Sequence, residues 1–425
     1  MTGRERHDVI VVGAGLAGLC CAVRLSQLGR RPLVLEASDG VGGRVRTDRA
    51  GGFRLDRGFQ VLLTAYPEAR RMLDYEALEL RPFSPGVLVW RGTGFEALAD
   101  PFRAPEQALR SLTSGVGGWR DKLRLARLRL TLSRSSPAQL RQRPDVPTIS
   151  ELRALGFGQG IIESFFRPFL GSVFFDRRLE TSSRMFAFVM RSFFGGSTAV
   201  PAAGMGAVPR QLAAWLPADA VRTHAAAVEV GDGTVRLEGG DELTAEVVVV
   251  ATEAPAASSL VPALGPARSR GAVTMYFAAP EPPTSEPTLM LDGARSGPAD
   301  LVAVMSNVAR SYAPPGQALV AVALTGDSAA GDASLEAAIR SQLAGWFGSQ
   351  VGAWTRIGLY RIAHALPDQT APAPLARRVQ FGDRLFVCGD HRDTPSIQGA
   401  MVSGRRTADA IAAAAPLMAS AHPPR

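Results

Sequence analysis

The sequence predicts an α/β protein. A Rossmann-like dinucleotide-binding domain, a doubly wound parallel sheet, is interleaved with an α+β substrate domain of mixed sheet and helices. Three observations carry this. A β-branched run, Val9–Val12, leads directly into Gly13-Ala14-Gly15-Leu16-Ala17-Gly18 and then a helical pattern. The end of the chain, "RLFVCGDHRDTPSIQGAMVSGRRTADAI", repeats that strand–loop–helix order. Between them, strand-sized apolar runs alternate with a helical block dense in phenylalanine.

Each part of the opening unit has a physical reason. Gly13 permits a tight strand-to-helix turn, Gly15 lets the backbone approach a pyrophosphate, and Gly18 allows close packing of helix on strand. Leu16 and Ala17 sit where the helix N-terminus offers amides and a positive dipole end to phosphates. Leu19–Leu28 reads as the helix, closed by Gly29, and Pro32–Leu35 as the next strand. Glu36, followed by Ala37, ends that strand about 20 residues past the glycines, where a carboxylate takes the hydroxyls of an adenosine ribose. No arginine follows at once to meet a 2′-phosphate, which disfavours NADP. Three glycines alone can make a structural turn, but here strand, turn, helix, second strand and acid fall in order.

Composition narrows the class. The chain has 425 residues, 46% of them apolar, enough for two domains with substantial cores. The net charge is +8, with arginine almost the only cation, since Lys122 is the single lysine. That bias matches a GC-rich bacterial genome. No basic patch interleaved with aromatics and no known module is present, so a nucleic-acid partner is not expected. Cys20, Cys21 and Cys388 lack metal-ligand spacing and read as buried, inert thiols, and no metal is expected. Polar residues 1–8 do not read as a signal peptide, and no apolar run reaches membrane-spanning length. The expected location is cytoplasmic, with contact at the inner face of the membrane left open.

Along the rest of the chain, Gly51–Leu63 reads as a strand crossing between domains and Val87–Phe95 as a hairpin. Pro105–Leu140 becomes helical and basic around "WRDKLRLARLRLTLSR". There Leu123, Leu125, Leu128, Leu130 and Leu132 are read as one apolar side with arginines on the other. Such a helix either turns its leucines to the core or rests on anionic lipid through residues 119–134. Phe157–Phe194 holds ten of the chain's 19 phenylalanines, as packed core or as the wall of a large apolar pocket. Strands follow near 227–251 and 271–325, a helix at Leu335–Phe347 and a strand at Thr355–Ala363. The domains are drawn as 1–90, 200–268 and 376–425 for the dinucleotide, and 91–199 and 269–375 for the substrate.

A second glycine cluster, Gly42-Gly43-Arg44, is more than a nicotinamide-binding domain requires. Taken with Glu36, the "VVVVAT" strand and the terminal "VCGDHRDTPSIQGAMVSGRRTADAI", it resembles the flavin-containing amine oxidase superfamily, which includes phytoene desaturases and protoporphyrinogen oxidases. The resemblance implies FAD, bound without covalent attachment. It places Gly42, Gly43 and Arg44 over the pyrophosphate, and Gly389 and Asp390 at the pyrophosphate and ribityl chain. It places Ile397, Gln398, Gly399 and Ala400 at the flavin's pyrimidine edge, with the Gly399–Ala400 amides stabilising charge there. Val228 brackets the adenine through its backbone, and Ala251 and Thr252 close the "VVVVAT" strand.

The same resemblance brings "LYRIAHALPD", Leu359–Asp368, past the flavin ring, with His364, Arg361 and Asp368 near the site. His364 is the one titrating group there. Amine oxidases of this kind use a lysine near the flavin and an aromatic cage. The single lysine is misplaced for that role, and only Trp354 and Tyr360 offer a cage face. Four readings stand. The first is desaturation or redox-neutral isomerisation of a large apolar polyene or isoprenoid, by hydride transfer to flavin N5. The others are amine oxidation, porphyrinogen oxidation, and a flavoprotein that binds without turnover. The partner implied is an apolar small molecule; oligomeric state is left unread.

Overall fold

The computed structural model describes residues 6–100, 103, 111, 113–326 and 330–420. The chain opens with strand β1 (Arg6–Val12), helix α1 (Leu16–Gln27) and strand β2 (Pro32–Leu35). These start a seven-stranded sheet ordered Val221–Arg222, β2, β1, Glu242–Val250, Thr234–Leu237 and Ala227–Val230. Leu385–Val387 also pairs with Glu242–Val250. Five of the strands run parallel, and Ala227–Val230 and Thr234–Leu237 form an antiparallel extension.

Alternation along β1 explains how both faces are covered. Val9 and Val11 pack with α1, whereas Ile10 and Val12 pack with Val235 and Leu237 of the antiparallel extension and with Leu243. Strands buried on both sides read as continuous apolar runs, which is why "VIVV" and "VVVV" are so uniform. The terminal helix, Ile397–Ser420, lies against α1. At their crossing a Cβ on Gly404 would fall 2.2 Å from the Ala17 carbonyl oxygen, so the two backbones meet with no side chain between them.

A second seven-stranded sheet is mixed, in the order Thr355–Pro367, Ser269–Ala279, Ala318–Thr325, Leu301–Val304, Leu289–Leu291, Gly86–Trp90, Phe95–Ala99. Its outer face packs on the helix Asp332–Phe347 through Val273, Met275, Phe277 and Trp346. Its inner face joins the main core through Tyr276, Leu289 and Leu291. The boundary drawn at residue 90 falls between two strands that pair with one another, Gly86–Trp90 and Phe95–Ala99. Among the described residues no helix is long and apolar enough to cross a membrane. Cys20, Cys21 and Cys388 are buried and free; burial pushes the Cys20 thiol up, and a hydrogen bond with Cys388, then burial, pushes up that of Cys21.

The helix Trp119–Arg134 does not present its leucines as one side. Leu128 and Leu132 are buried, while Leu123 and Leu130 are exposed. At about 100° per residue, positions 123 and 130 fall on the side opposite 128 and 132. The first part of the basic segment, 104–110, lies outside the described residues.

Candidate functional site

Three glycine-bearing segments meet at the C-terminal end of the parallel sheet. Gly13 adopts φ +109°, and a Cβ there would lie 3.0 Å from the Ala251 carbonyl oxygen. A Cβ on Gly18 would meet the Gly13 carbonyl oxygen at 2.0 Å and Ala251 Cβ at 3.1 Å, so both turn and helix are pressed onto the strand end. Gly15 differs: a Cβ there would meet nothing within 4 Å. Its backbone therefore borders open space at the start of α1, where Leu16 and Ala17 begin the helix.

Glu36, buried at the end of β2, binds the turn itself. One carboxylate oxygen accepts from the Ala14 amide at 2.8 Å, and the other from the Ser38 amide and hydroxyl at 2.9 and 2.7 Å. Ala37 beside it is exposed. The second glycine pair doubles back over the first. Gly42 donates to the Ala14 carbonyl at 2.8 Å and bridges Gly15, and a Cβ on Gly43 would lie 3.4 Å from the Gly15 Cα. Arg44 follows, with Nη2 2.7 Å from the Asp390 carboxylate and Nη1 donating to the Ala365 carbonyl at 2.7 Å. Arg44 thus ties the second segment to the third.

In the third segment Gly389 and Asp390 follow the strand Leu385–Val387. A Cβ on Gly399 would fall 1.8 Å from the Thr394 carbonyl oxygen, so the terminal helix starts directly beneath its own entry loop. The helix opening departs from expectation. The Gly399 amide is taken by Ser396 Oγ at 3.0 Å and the Ala400 amide by the Ser396 carbonyl at 2.9 Å. Ser396, at the N-cap, therefore takes the two amides expected at the flavin edge. The Gln398 side chain is structural, its carbonyl accepting the Glu68 amide at 2.9 Å.

Val228 lies at a bulge: Ala227 pairs with Leu237 and Glu229 with Arg236, so Val228 has no partner residue and its side chain is exposed. Arg361 does not join the others. Its guanidinium reaches the Ala330 carbonyl and Asp332 at 2.8 and 2.9 Å, on the side of the outer helix. His364 sits exposed in an irregular stretch, 2.6 Å from Ser269 Oγ and one residue before the carbonyl that receives Arg44. Asp368 pairs with Arg270 at 2.8 Å. Trp354 is buried in the outer core and Tyr360 donates to Asp48 at 2.9 Å, so they do not form a cage.

Buried polar atoms without a protein partner lie on the same segments. They include Asp390 Oδ1, Thr252 Oγ1, Gln60 Oε1 and both ring nitrogens of His391. Native folds rarely leave such atoms unmatched. A hydroxyl-rich, phosphate-bearing ligand laid along Gly15 and Gly43 would supply their partners, so the residues fit a dinucleotide. His391 was not legible as a site residue, although it adjoins Asp390. Burial pushes its imidazole down to about 4, so it is neutral and keeps one donor and one acceptor. Gln60, whose amide donates to the Arg44 carbonyl at 2.7 Å, was also missed. So was Tyr66, which contacts Ser396 and stacks on Phe188 at 5.9 Å.

A cavity of about 480 Å³ lies between the second sheet and the phenylalanine-rich helices, and none of the cradle residues lines it. Phe165, Phe169, Phe193 and Phe194 of the phenylalanine-rich segment line it, with Met190 and Phe83. Other phenylalanines of that segment, such as Phe166 and Phe186, are buried core, so both readings of the segment hold in part. Within a π-helical turn, Ile162–Phe166, Phe165 stacks on Phe169 and Phe166 meets Phe157 edge-on. Phe83 meets Phe59, the neighbour of Gln60, edge-on at 6.4 Å, which links the cavity to the cradle. The cavity's ionisable lining is Asp100, Arg103, Lys122 and Arg129, three cations against one anion.

Residues 16–412 match the family model described as flavin containing amine oxidoreductase. The phytoene dehydrogenase of Streptomyces griseus is 31% identical over 275 residues, 56% of this chain and 51% of that protein. The coproporphyrinogen III oxidase of Propionibacterium freudenreichii subsp. freudenreichii is 30% identical over 172 residues, 39% of this chain and 31% of that protein. The chain thus spans about half or less of the length of these curated relatives. An oxidoreductase from Methanosarcina mazei superposes with TM-score 0.73 at 17% identity, covering 95% of this chain and 100% of that one. Putrescine oxidase with putrescine bound does so at 0.67 and 16%, covering 96% and 99%. These two likenesses establish the fold. With a match over nearly its whole length and a cradle that fits FAD, the chain belongs to the flavin-containing amine oxidoreductase family.

Proposed function

We propose that the protein oxidises or isomerises a large apolar substrate, a polyene or other isoprenoid. The observation that carries this reading is the cavity walled by Phe165, Phe169, Phe193 and Phe194, joined to the cradle residue Gln60 through the Phe83–Phe59 contact. Apolar burial contributes about 0.8 kcal/mol per methylene, so a hydrocarbon chain needs few polar contacts to be held there. The lining charge argues against an ammonium substrate: Arg129 pairs with Asp100, and Arg103 and Lys122 leave the lining net positive.

FAD, when bound, supplies a hydride acceptor at N5. Glu36 would hold it at the ribose, the Gly15 and Gly43 backbone and Arg44 at the pyrophosphate, and Asp390 at the ribityl hydroxyls. Thr252 and the bulged backbone at Val228 would border the adenosine end. The helix opening at Ile397 and Gln398 would offer its positive dipole end to the flavin. Desaturation also requires loss of a proton from the neighbouring carbon, and we assign its uptake to His364, beside the Ala365 carbonyl that fixes Arg44. Isomerisation needs no net proton loss and leaves His364 less critical.

A second reading, porphyrinogen oxidation, draws on the same lining. Arg103, Lys122 and Arg129 would suit a flat apolar molecule bearing carboxylates. Oxidised and reduced enzyme should each be offered polyenes, aliphatic amines and a carboxylated porphyrinogen. We expect turnover of a polyene, lowered at least tenfold in kcat by His364→Gln if the reaction is a desaturation. Rapid flavin reduction by amines, with no response to any polyene, would refute the proposal.

A further inference from the structure

The helix Trp119–Arg134 has two apolar faces, and a helix on the surface of a protein in water needs one. At about 100° per residue, Leu125, Leu128 and Leu132 turn to the core, while Trp119, Leu123 and Leu130 share an arc of roughly 40° on the opposite side. Those three are 67%, 60% and 46% exposed, half of the six exposed large apolar side chains among the described residues. Arg120, Arg124, Arg127 and Arg134 flank that arc on one edge. The helix's one acidic residue, Asp121, is buried, where it pairs with Arg124 and caps the helix start. A groove beside it, lined by Arg127, Leu130, Arg134 and Arg143, extends the basic border. Trp119 and Leu123 also line the apolar cavity, with Lys122 and Ala126 between and beside them.

We propose that this face rests on an anionic phospholipid bilayer, and that apolar substrate passes between the membrane and the cavity past Trp119 and Leu123. A tryptophan and two leucines bordered by arginines match a bilayer interface, where indole and aliphatic groups enter the acyl boundary and guanidinium groups meet phosphates. A soluble partner of opposite charge would satisfy the arginines alone. A lipid surface also explains why an apolar cavity borders the apolar arc. The second clause rests on the apolar-substrate reading; the first does not.

The test is flotation of the FAD-loaded full chain with vesicles of phosphatidylcholine alone, or of equal parts phosphatidylcholine and phosphatidylglycerol. Stronger binding to the mixed vesicles is expected, weakened by added salt as screening requires. Arg120→Gln, Arg127→Gln and Arg134→Gln should each weaken it about fivefold, near 100-fold together. Joint replacement of Trp119, Leu123 and Leu130 by serine should abolish it while flavin absorbance and far-ultraviolet circular dichroism show a folded, FAD-loaded chain. Equal binding to both vesicles, or undiminished binding of the serine variant, would overturn the proposal. So would a concentration-dependent dimer, seen by light scattering, that the serine changes dissolve in a chain that ignores vesicles. Vesicle binding without turnover of any polyene would leave the docking face standing and remove the substrate reading instead.

Discussion

Glu36→Gln separates two jobs that one carboxylate performs. In the structure its oxygens already accept three donors: the Ala14 amide, the Ser38 amide and the Ser38 hydroxyl. A carboxylate has about four acceptor sites, so roughly one remains for a ribose hydroxyl. A carboxamide turns an N–H₂ group toward one of the two sides. Facing Ala14, it would oppose a buried amide. Facing Ser38, it loses the Ser38 amide bond while the hydroxyl rotates to accept. The second arrangement is cheaper and costs about 1–3 kcal/mol, plus a smaller loss as the surviving bonds pass from a charged to a neutral acceptor. That cost is present with or without FAD, so it belongs to the stability of the apoprotein. Only the ribose bond enters the affinity; it persists to the neutral carboxamide but loses its charge assistance, about 0.5–1.5 kcal/mol, a rise in Kd of roughly 2–13-fold. Apoprotein should be titrated with FAD by flavin fluorescence, and its urea unfolding measured separately. A stability loss with unchanged FAD affinity would show that Glu36 only holds the turn.

Gly399→Val should yield protein purified without yellow colour, because its Cβ would need the space of the Thr394 carbonyl; a normal flavin spectrum would refute this. Phe169→Ala and Phe166→Ala should differ. Phe166 is enclosed by core and should cost about 3–5 kcal/mol, whereas Phe169 faces the cavity, should cost less, and should shift the preferred substrate length. Equal destabilisation by urea would remove Phe169 from the cavity wall. Asp56 gives a pH prediction. Burial raises its carboxyl to about 6, against hydrogen bonds from Thr47, the Met205 amide and Tyr312. The folded group holds its proton above the ordinary carboxylate range. Its contribution is therefore complete below about pH 4 and lost as pH rises to 6, on the order of 3 kcal/mol. Asp56→Asn lacks this dependence, so the apoprotein variant should lose less stability than the parent between pH 4 and pH 7. A parent that gains on the variant over that interval would contradict the assignment.

The cradle was legible because its requirements are local. Gly13, Gly18, Gly42 and Gly399 are read from backbone geometry, and each is enforced by atoms a few residues away or at the end of a neighbouring strand. Glu36 follows from the length of one βαβ step. The substrate side was less legible, because register and helix phase decide it. Arg361 and His364 belong to a segment that reads as a plain strand. Yet between Ile362 and Leu366 four steps of that strand oppose two on its partner, from Ala272 to Arg270. Alternation breaks there, and the two side chains part, Arg361 to the outer helix and His364 to Ser269.

The basic helix shows the same limit in another form. Its leucine count indicates an amphipathic helix, but count does not fix phase. Leu123 and Leu130 are seven residues apart, as are Leu125 and Leu132, and the two pairs point in different directions. The inward pair, Leu132 buried and Leu125 partly so, builds the cavity-bearing layer with Leu128, and the exposed pair with Trp119 forms the face argued to meet lipid. Local geometry therefore determines which cofactor is held. Which molecule reaches it depends on how two apolar arcs of one helix are oriented, and that orientation is set only when the phenylalanine-rich helices pack beneath it.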